Sequence, residues 1–353
     1  MIKYSPFLKL KNGELSALIN LLPEDRSKII PLLDFISNSK ITEDKLIEKI
    51  EKIVKRMEKN IETTFSFYLD NYEIPDELKI NKQNNYQYIL DSFHNFNIIP
   101  VIGLDRSKIH NTIAIKYANK KAKKIAFRIT NEYFESFIVY KKDFEEILDL
   151  IGSNLPCTLL IDCRYINDNN LDNYEKYIIY ILEEIINKKY FINIIISGSS
   201  IPENIRDIVK VDTNVYLNRN EIDLYKKIKL FYPDENIFFG DYTIVSPDIF
   251  ELNIDPKLYL NFMTSKIIYS QLNTHYFTRG KKIKQHWFEQ YIEQAKDIIK
   301  QPFYRKSNYS WGDEYLYEKV KYGGTKITPS SIIGPTVNAH IKFMIDEISN
   351  GYI

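Results

Sequence analysis

The chain has 353 residues, 48 Lys+Arg against 47 Asp+Glu, a net charge of +1, 44% hydrophobic residues, 11 Gly and 2 Cys. These values exclude a disordered tail, a disulfide-stapled secreted module and a low-complexity chain, and leave a globular protein. Balanced charge means that any contact with nucleic acid or membrane must come from a local patch.

The opening MIKYSPFLKLKNGE lacks the unbroken apolar segment of a secretory signal. No window approaches the roughly 18 apolar residues of a membrane span, so the expected compartment is the cytoplasm and no membrane partner is expected. From there, β-branched or aromatic runs alternate with segments of helical period. The runs are YSPFLKL (4–10), KIIPLLDF (28–35), TFSFYLD (64–70), NIIPVIGL (97–104), KIAFRIT (124–130), CTLLIDC (157–163), INIIISG (192–198) and NIFFGDY (236–242). Between them, Leu46, Ile50, Ile53, Val54 and Met57 share one face after Thr42, a candidate N-cap, and Tyr174, Ile178, Ile181, Leu182 and Ile185 share another.

Eight near-continuous apolar runs, each followed by room for a crossover helix, predict strands covered on both faces. Their number and span match a (β/α)8 TIM-like barrel, typically of about 250 residues. The rival is a doubly wound open sheet, but no run is followed by GxGxxG or GxxxxGK[ST]. The alternation stops near residue 245. The reading is therefore a barrel over residues 1–246 and a mixed α/loop extension over 247–353, packed on the barrel and placed to cover its mouth. In that extension a helix is expected from His286 to Lys300, among polar turns such as KYGGTK. Cys157 and Cys163 share one alternating run, which points both to one face as small buried thiols.

In such a barrel, function sits at the C-terminal ends of the strands. There the sequence places Asp34, Asp70, Asp105, Arg128, Asp162, Ser197 with Ser199, and Asp241 with Tyr242. A single Asp at a strand end serves equally to cap the next turn. Charged residues on four converging strands (Asp70, Arg128, Asp162 and Asp241) point instead to a ligand site. Arg128 would hold the carboxylates ionised and offer a planar fork to phosphate. The stretch SGSSIPE allows Ser199 or Ser200 to cap a helix whose first turn holds Pro202, and such a terminus suits an anion; plain capping is an equal reading.

Carboxylates without neighbouring His or Cys favour Mg²⁺ over Zn²⁺, so Mg²⁺ is the one cofactor suggested, with its ligands left open. No GxSxG elbow marks a serine nucleophile. Arg279-Gly280-Lys281-Lys282-Ile283-Lys284, flanked by Tyr276, Phe277 and Trp287, reads either as a grip on phosphates and bases or as a solvated loop before a core Trp.

Several motifs are similar to those of a known family. YSPFLKLKNGELSALINL, IIPLLDF, NRNE (Arg219, Glu221), FFGDYTI, Arg279-Gly280, Ser310-Trp311-Gly312-Asp313 and Asn338-Ala339-His340 resemble the beta protein family of temperate and satellite phages and bacterial genomic islands. The resemblance spans nearly the whole chain. It implies an anti-phage role beside partner proteins of the same defence locus, and it carries over Lys9, Glu14, Asp70, Arg128, Asp162, Asp241, Tyr242, Arg279 and Asp313. The family pattern has two histidines after Asn, whereas Ala339 replaces the first here and leaves His340 alone.

Two functions follow as expectations. In one, the acidic rim with Arg128 binds a nucleotide or nucleic-acid phosphate, with metal-assisted phosphodiester or nucleotide hydrolysis as the reaction. Asp70, Arg128, Asp162, Asp241 and Tyr242 are then the catalytic candidates. Lys9, Glu14, Ser197, Ser199, Arg219, Glu221, Arg279, Asp313 and His340 are the ligand-binding ones. In the other, the barrel is a non-catalytic module that senses a phage protein or restrains a toxic partner, its 27 Tyr and 20 Phe supplying interface anchors.

Overall fold

The computed structural model describes residues 4–36, 41–248 and 259–353. Each of the eight apolar runs forms a parallel strand of one closed barrel. In chain order the strands are β1 (Tyr4–Lys9), β2 (Leu32–Asp34), β3 (Ser66–Asp70), a small hairpin of β4 (Lys79–Ile80) and β5 (Gln83–Asn84), then β6 (Asn97–Gly103), β7 (Ile125–Thr130), β8 (Cys157–Tyr165) and β9 (Phe191–Ser199). Then come β10 (Thr213–Asn218), β11 (Ile237–Asp241), β12 (Thr264–Ser270) and β13 (Thr274–Lys282). The barrel runs β1-β11-β9-β8-β7-β6-β3-β2 and closes through parallel pairing of β1 with both β2 and β11.

Side chains alternate between the barrel interior and the helical layer. Phe7, Leu32, Tyr68, Val101, Ala126, Leu160 and Ile195 form one apolar cluster. Two residues further along the same strands stand Lys9, Asp34, Asp70, Gly103, Arg128, Asp162 and Ser197. The register pairs Lys9 with Asp34, Asp34 with Asp70, Gly103 with Arg128 and Asp162 with Ser197, and it steps by two residues at β7–β8, where Arg128 lies beside Leu160 and Asp162 beside Thr130. The period of two thus lays a polar storey on an apolar one. Residues of the opposite parity, including the free and buried Cys157 and Cys163, face the helices.

The Glu43–Asn60 helix buries Leu46, Ile50, Ile53 and Met57, and the Leu171–Ile185 helix buries Ile178, Ile181, Leu182 and Ile185, as their apolar stripes predict. Thr42 takes the N-cap position of the first, but its side chain makes no capping bond. No helix is found at Ser199–Glu203, which corrects the expectation for SGSSIPE. Ser199 ends β9, and the next α-helix is Asn220–Phe231.

The region after the barrel is more regular than a mixed loop. β12 and β13 form an antiparallel sheet with β10, which leaves the crossover between β9 and β11 to join them, so the sequence ranges assigned to barrel and extension share one sheet. A single-turn helix, Ile283–His286, and three longer ones follow: Gln290–Lys300, Trp311–Tyr322 and Ile333–Ser349. The helix expected from His286 begins only at Gln290, because Trp287, with a positive φ of 53°, ends the short helix before it. The Ile333–Ser349 helix packs on the Asn12–Ile19 helix and on β1. No helix among the described residues is long and apolar enough to cross a membrane.

Candidate functional site

Arg128 sits at the centre of the polar storey, 1% exposed, and every one of its guanidinium N–H donors has an acceptor. Nε donates to Asp162 Oδ2 at 3.1 Å, Nη1 to Asp34 at 3.1 Å and Asp70 at 2.6 Å, and Nη2 to Asp162 at 2.6 Å and the Tyr242 hydroxyl at 3.1 Å. The Tyr242 hydroxyl in turn donates to Asp162 Oδ2 at 2.6 Å. Three buried carboxylates around one buried cation are tolerable because each is paired and hydrogen-bonded.

A second arginine reinforces the first. Arg106, just past β6, donates to both oxygens of Asp70 at 2.8 and 2.9 Å and pairs with Asp105. Burial opposes the charge of Asp70, yet Arg106 and Arg128 hold its carboxyl well below the usual range. Asp34 lies at the wetter edge of the storey. Burial first, and the Asp70 charge second, push it up to about 6. The ring of Tyr72 has the guanidinium carbons of Arg106, Arg128 and Arg164 within 5.0, 4.7 and 5.0 Å of its centroid. Arg164 is aimed there by a register shift in β8 at a left-handed φ of 53°, and it pairs with Asp248 at 2.7 Å. Lys9 donates to the Asp248 carbonyl at 3.2 Å, and burial followed by Lys11 lowers its ammonium to about 8.

Asp241, expected on the same rim, belongs elsewhere. It is one residue out of phase with the inward-facing set, so it points through the wall into a separate buried network. Tyr4 donates to its Oδ1 at 2.7 Å, while Arg219 and His340 reach its Oδ2 at 2.8 and 2.9 Å. Arg219 also pairs with Glu221 at 2.8 Å, and Glu221 accepts from the Ser200 hydroxyl at 2.6 Å. A carboxylate at His340 Nε2 fixes the proton there, so Nδ1 accepts from Ser270 at 2.6 Å, and Ser270 then accepts from His275 Nδ1 at 3.0 Å. This Asp-His-Ser line is not a nucleophile site: Ser270 is 2% exposed and its hydroxyl is held between two histidines. Its location ties the C-terminal helix, through His340, to the barrel wall.

The remaining candidates are dispersed. Ser197 is buried in the polar storey, and Ser199 donates to the Val245 carbonyl at 3.2 Å. Arg279, on β13, bonds the Val209 carbonyl and Thr264. Asp313 forms a reciprocal cap with Ser310 on the Trp311–Tyr322 helix and accepts from Tyr269. Glu14 is buried beside Lys9, Lys11 and Lys49, and it lines a groove of about 640 Å³ at the exit of β1. Trp287, offered as a core residue, is 60% exposed.

Arg106, Arg164 and Tyr72 complete the mouth but were not singled out from the sequence. They lie in the loops or in a bulge, where strand periodicity carries no signal. As a test of Mg²⁺, the oxygens of Asp70 and Asp162 are turned to guanidinium, main-chain amide and phenol donors, which does not fit a cation. No cluster of three or more His, Cys, Asp or Glu among the described residues is arranged to hold a metal.

The fold and this mouth define a (β/α)8-barrel protein with an internally neutralised arginine–carboxylate centre at the C-terminal ends of the barrel strands. The particular family follows from the sequence: the family model described as Beta protein matches residues 4–346, and the chain belongs to that family. A comparison with curated protein sequences finds no match. Among solved structures, the catalytic module of a family 98 glycoside hydrolase from Streptococcus pneumoniae, in complex with the LewisY pentasaccharide blood group antigen, is similar at 10% identity with a TM-score of 0.40. That similarity covers 70% of this chain and about half (49%) of the hydrolase chain, and no function is drawn from it.

Proposed function

We propose that this chain is a cytoplasmic component of a phage-defence system whose barrel binds a nucleotide or nucleic-acid phosphate and reports it to partner proteins of the same locus. The observation that carries the reading is the groove beside β1. Lys45, Lys49, Lys52 and Arg56 recur at helical spacing along the Glu43–Asn60 helix, and Lys11 faces them, against only Glu14 and Glu48. Burial followed by Lys11 lowers Lys49 to about 8, so the Lys49 ammonium is held against its surroundings and against Lys11. A phosphate entering the groove relieves that repulsion.

The mouth favours recognition over turnover. Arg128 has no donor left for a substrate, and Asp70 and Asp162 are spent on neutralising it. One observation favours the hydrolytic reading instead. Asp34, raised to about 6 next to an ionised Asp70, is the pairing expected of an acid and a base.

The test is fluorescence anisotropy with a labelled dinucleotide and a short single strand, on wild type and on Lys49→Glu with Lys52→Glu, beside phage plating in cells carrying the native locus. Binding that weakens at least tenfold in the double variant, steepens with lower salt, and is matched by lost protection supports the proposal. Undiminished affinity or full protection in the double variant refutes it.

A further inference from the structure

A second cavity, of about 560 Å³, opens between the loop after β3 and the loop after β6. It has the opposite character to the lysine groove. Asp105 is paired with Arg106 and Glu73 faces Arg164 at 3.7 Å, whereas Asp76 accepts only from the neutral donors of Ser107 and Asn84, so Asp76 and Glu77 are its carboxylates without a Lys or Arg partner among the described residues.

Charge alone does not make a site, but two buried acceptors in its wall lack any partner among the described residues. The first is Nδ1 of His110, a residue that is 0% exposed. Its Nε2 faces the Val101 carbonyl at 3.0 Å and must carry the proton, so Nδ1 presents a lone pair, only 3.9 Å from Asp76 Oδ1. The ring is locked by face-to-face stacking on Tyr86 at 4.0 Å. The second is Oδ1 of Asn71, 2% exposed. Its orientation is set by Asn85, whose amide N–H groups go to the carbonyls of Pro75 and Leu78, so that Asn85 can only accept from Asn71. Two bare acceptors and a carboxylate thus belong to residues that line one cavity, and a buried acceptor left unmet is destabilising.

We propose that this cavity binds an aliphatic diamine. One primary ammonium supplies three N–H donors for His110 Nδ1, Asn71 Oδ1 and the Asp76 carboxylate, and the second ammonium answers Glu77. A hydroxyl brings too few donors and no charge, and a quaternary ammonium brings charge without donors.

Equilibrium dialysis of the full chain with labelled putrescine tests this, with the bis(trimethylammonium) analogue of the same chain length and Mg²⁺ as competitors. Saturable one-to-one binding is expected, which neither competitor displaces. Asp76→Asn should weaken it at least tenfold and Glu77→Gln more mildly, while Lys49→Glu, in the other groove, leaves it unchanged. On binding, the ¹⁵N resonance of His110 Nδ1 should move toward its hydrogen-bonded position, a readout independent of either variant's folding. Absence of saturation into the low millimolar range, displacement by the quaternary analogue or by Mg²⁺, or an unaltered affinity in Asp76→Asn overturns the proposal. Failure here leaves phosphate binding in the lysine groove untouched, because the two sites share no residue.

Discussion

Replacing Arg128 by Met tests the account of the barrel mouth most directly. The substitution keeps most of the aliphatic volume but removes the cation that Asp34, Asp70 and Asp162 share. Breaking a buried pair by deleting one partner costs about 3–5 kcal/mol, and here three carboxylates are affected, with only Asp70 keeping a second arginine. The size of the loss should depend on pH. Without Arg128, burial and the Asp70 charge lift the Asp34 carboxyl further above its unfolded value, so the variant is most stable in acid and weakens as the pH rises through the raised value. The wild-type Asp70, held low, behaves oppositely: its contribution is present above the unfolded carboxylate range and is lost in acid. The gap between the two proteins is therefore widest near neutrality and narrows by up to about 1.4 kcal/mol per carboxylate for each pH unit descended. Urea denaturation at about pH 7.5 and about pH 5 measures it. Changing Asp34 and Asp162 to Asn in the Met background, with Asp70 kept as the partner of Arg106, should restore much of the loss, because the two carboxylates left without a cation are then neutral. A loss below about 1 kcal/mol, or one that is equal at both pH values, would refute the claim that Arg128 neutralises this storey.

Two further outcomes follow from the same geometry. The Asp34 carboxyl should titrate near 6 by ¹³C NMR while Asp70 stays ionised to much lower pH. Asp34's contribution to stability is then complete below its unfolded value near 4 and is lost as the pH rises through about 6; a midpoint near 4 contradicts the assignment. Gly312→Ala should cost about 3 kcal/mol in the same denaturation assay, since an added Cβ would overlap the Pro335 carbonyl and press on Ala339 where two helices cross, and a neutral result would mean the crossing can separate.

The barrel was legible because its strands are covered on both faces. Runs such as INIIISG and CTLLIDC need no partner pattern to be recognised, and each became a strand. The small sheet was not legible for the opposite reason. β10, TNVYLN, alternates half-buried and exposed residues inside what reads as a crossover, and β13 ends in the basic run that looked like a loop. The Trp311–Tyr322 and Ile333–Ser349 helices were hidden by glycines and a proline at their first turns. Gly312, Gly334 and Pro335 look like turn residues, yet the two glycines are there because the chain approaches too closely for larger side chains, and Pro335 is tolerated in a first turn that needs no N–H from it.

Membership of the rim is a harder inference than the rim's existence, and parity is what decides it. Asp162 and Asp241 both end apolar strands, and sequence alone gives each the same standing. Asp162 lies level with Ser197, two residues above Leu160 of the interior cluster, and so faces Arg128. Asp241 lies level with Gly198 and Pro6, one step out of phase, and faces Arg219 and His340 across the wall. The next residue, Tyr242, turns back inside to Asp162, so the motif Gly240-Asp241-Tyr242 joins both networks in two consecutive side chains. One network neutralises the mouth and the other fastens the C-terminal helix. A change at this motif is therefore felt at once in the barrel centre and in the docking of the last helix.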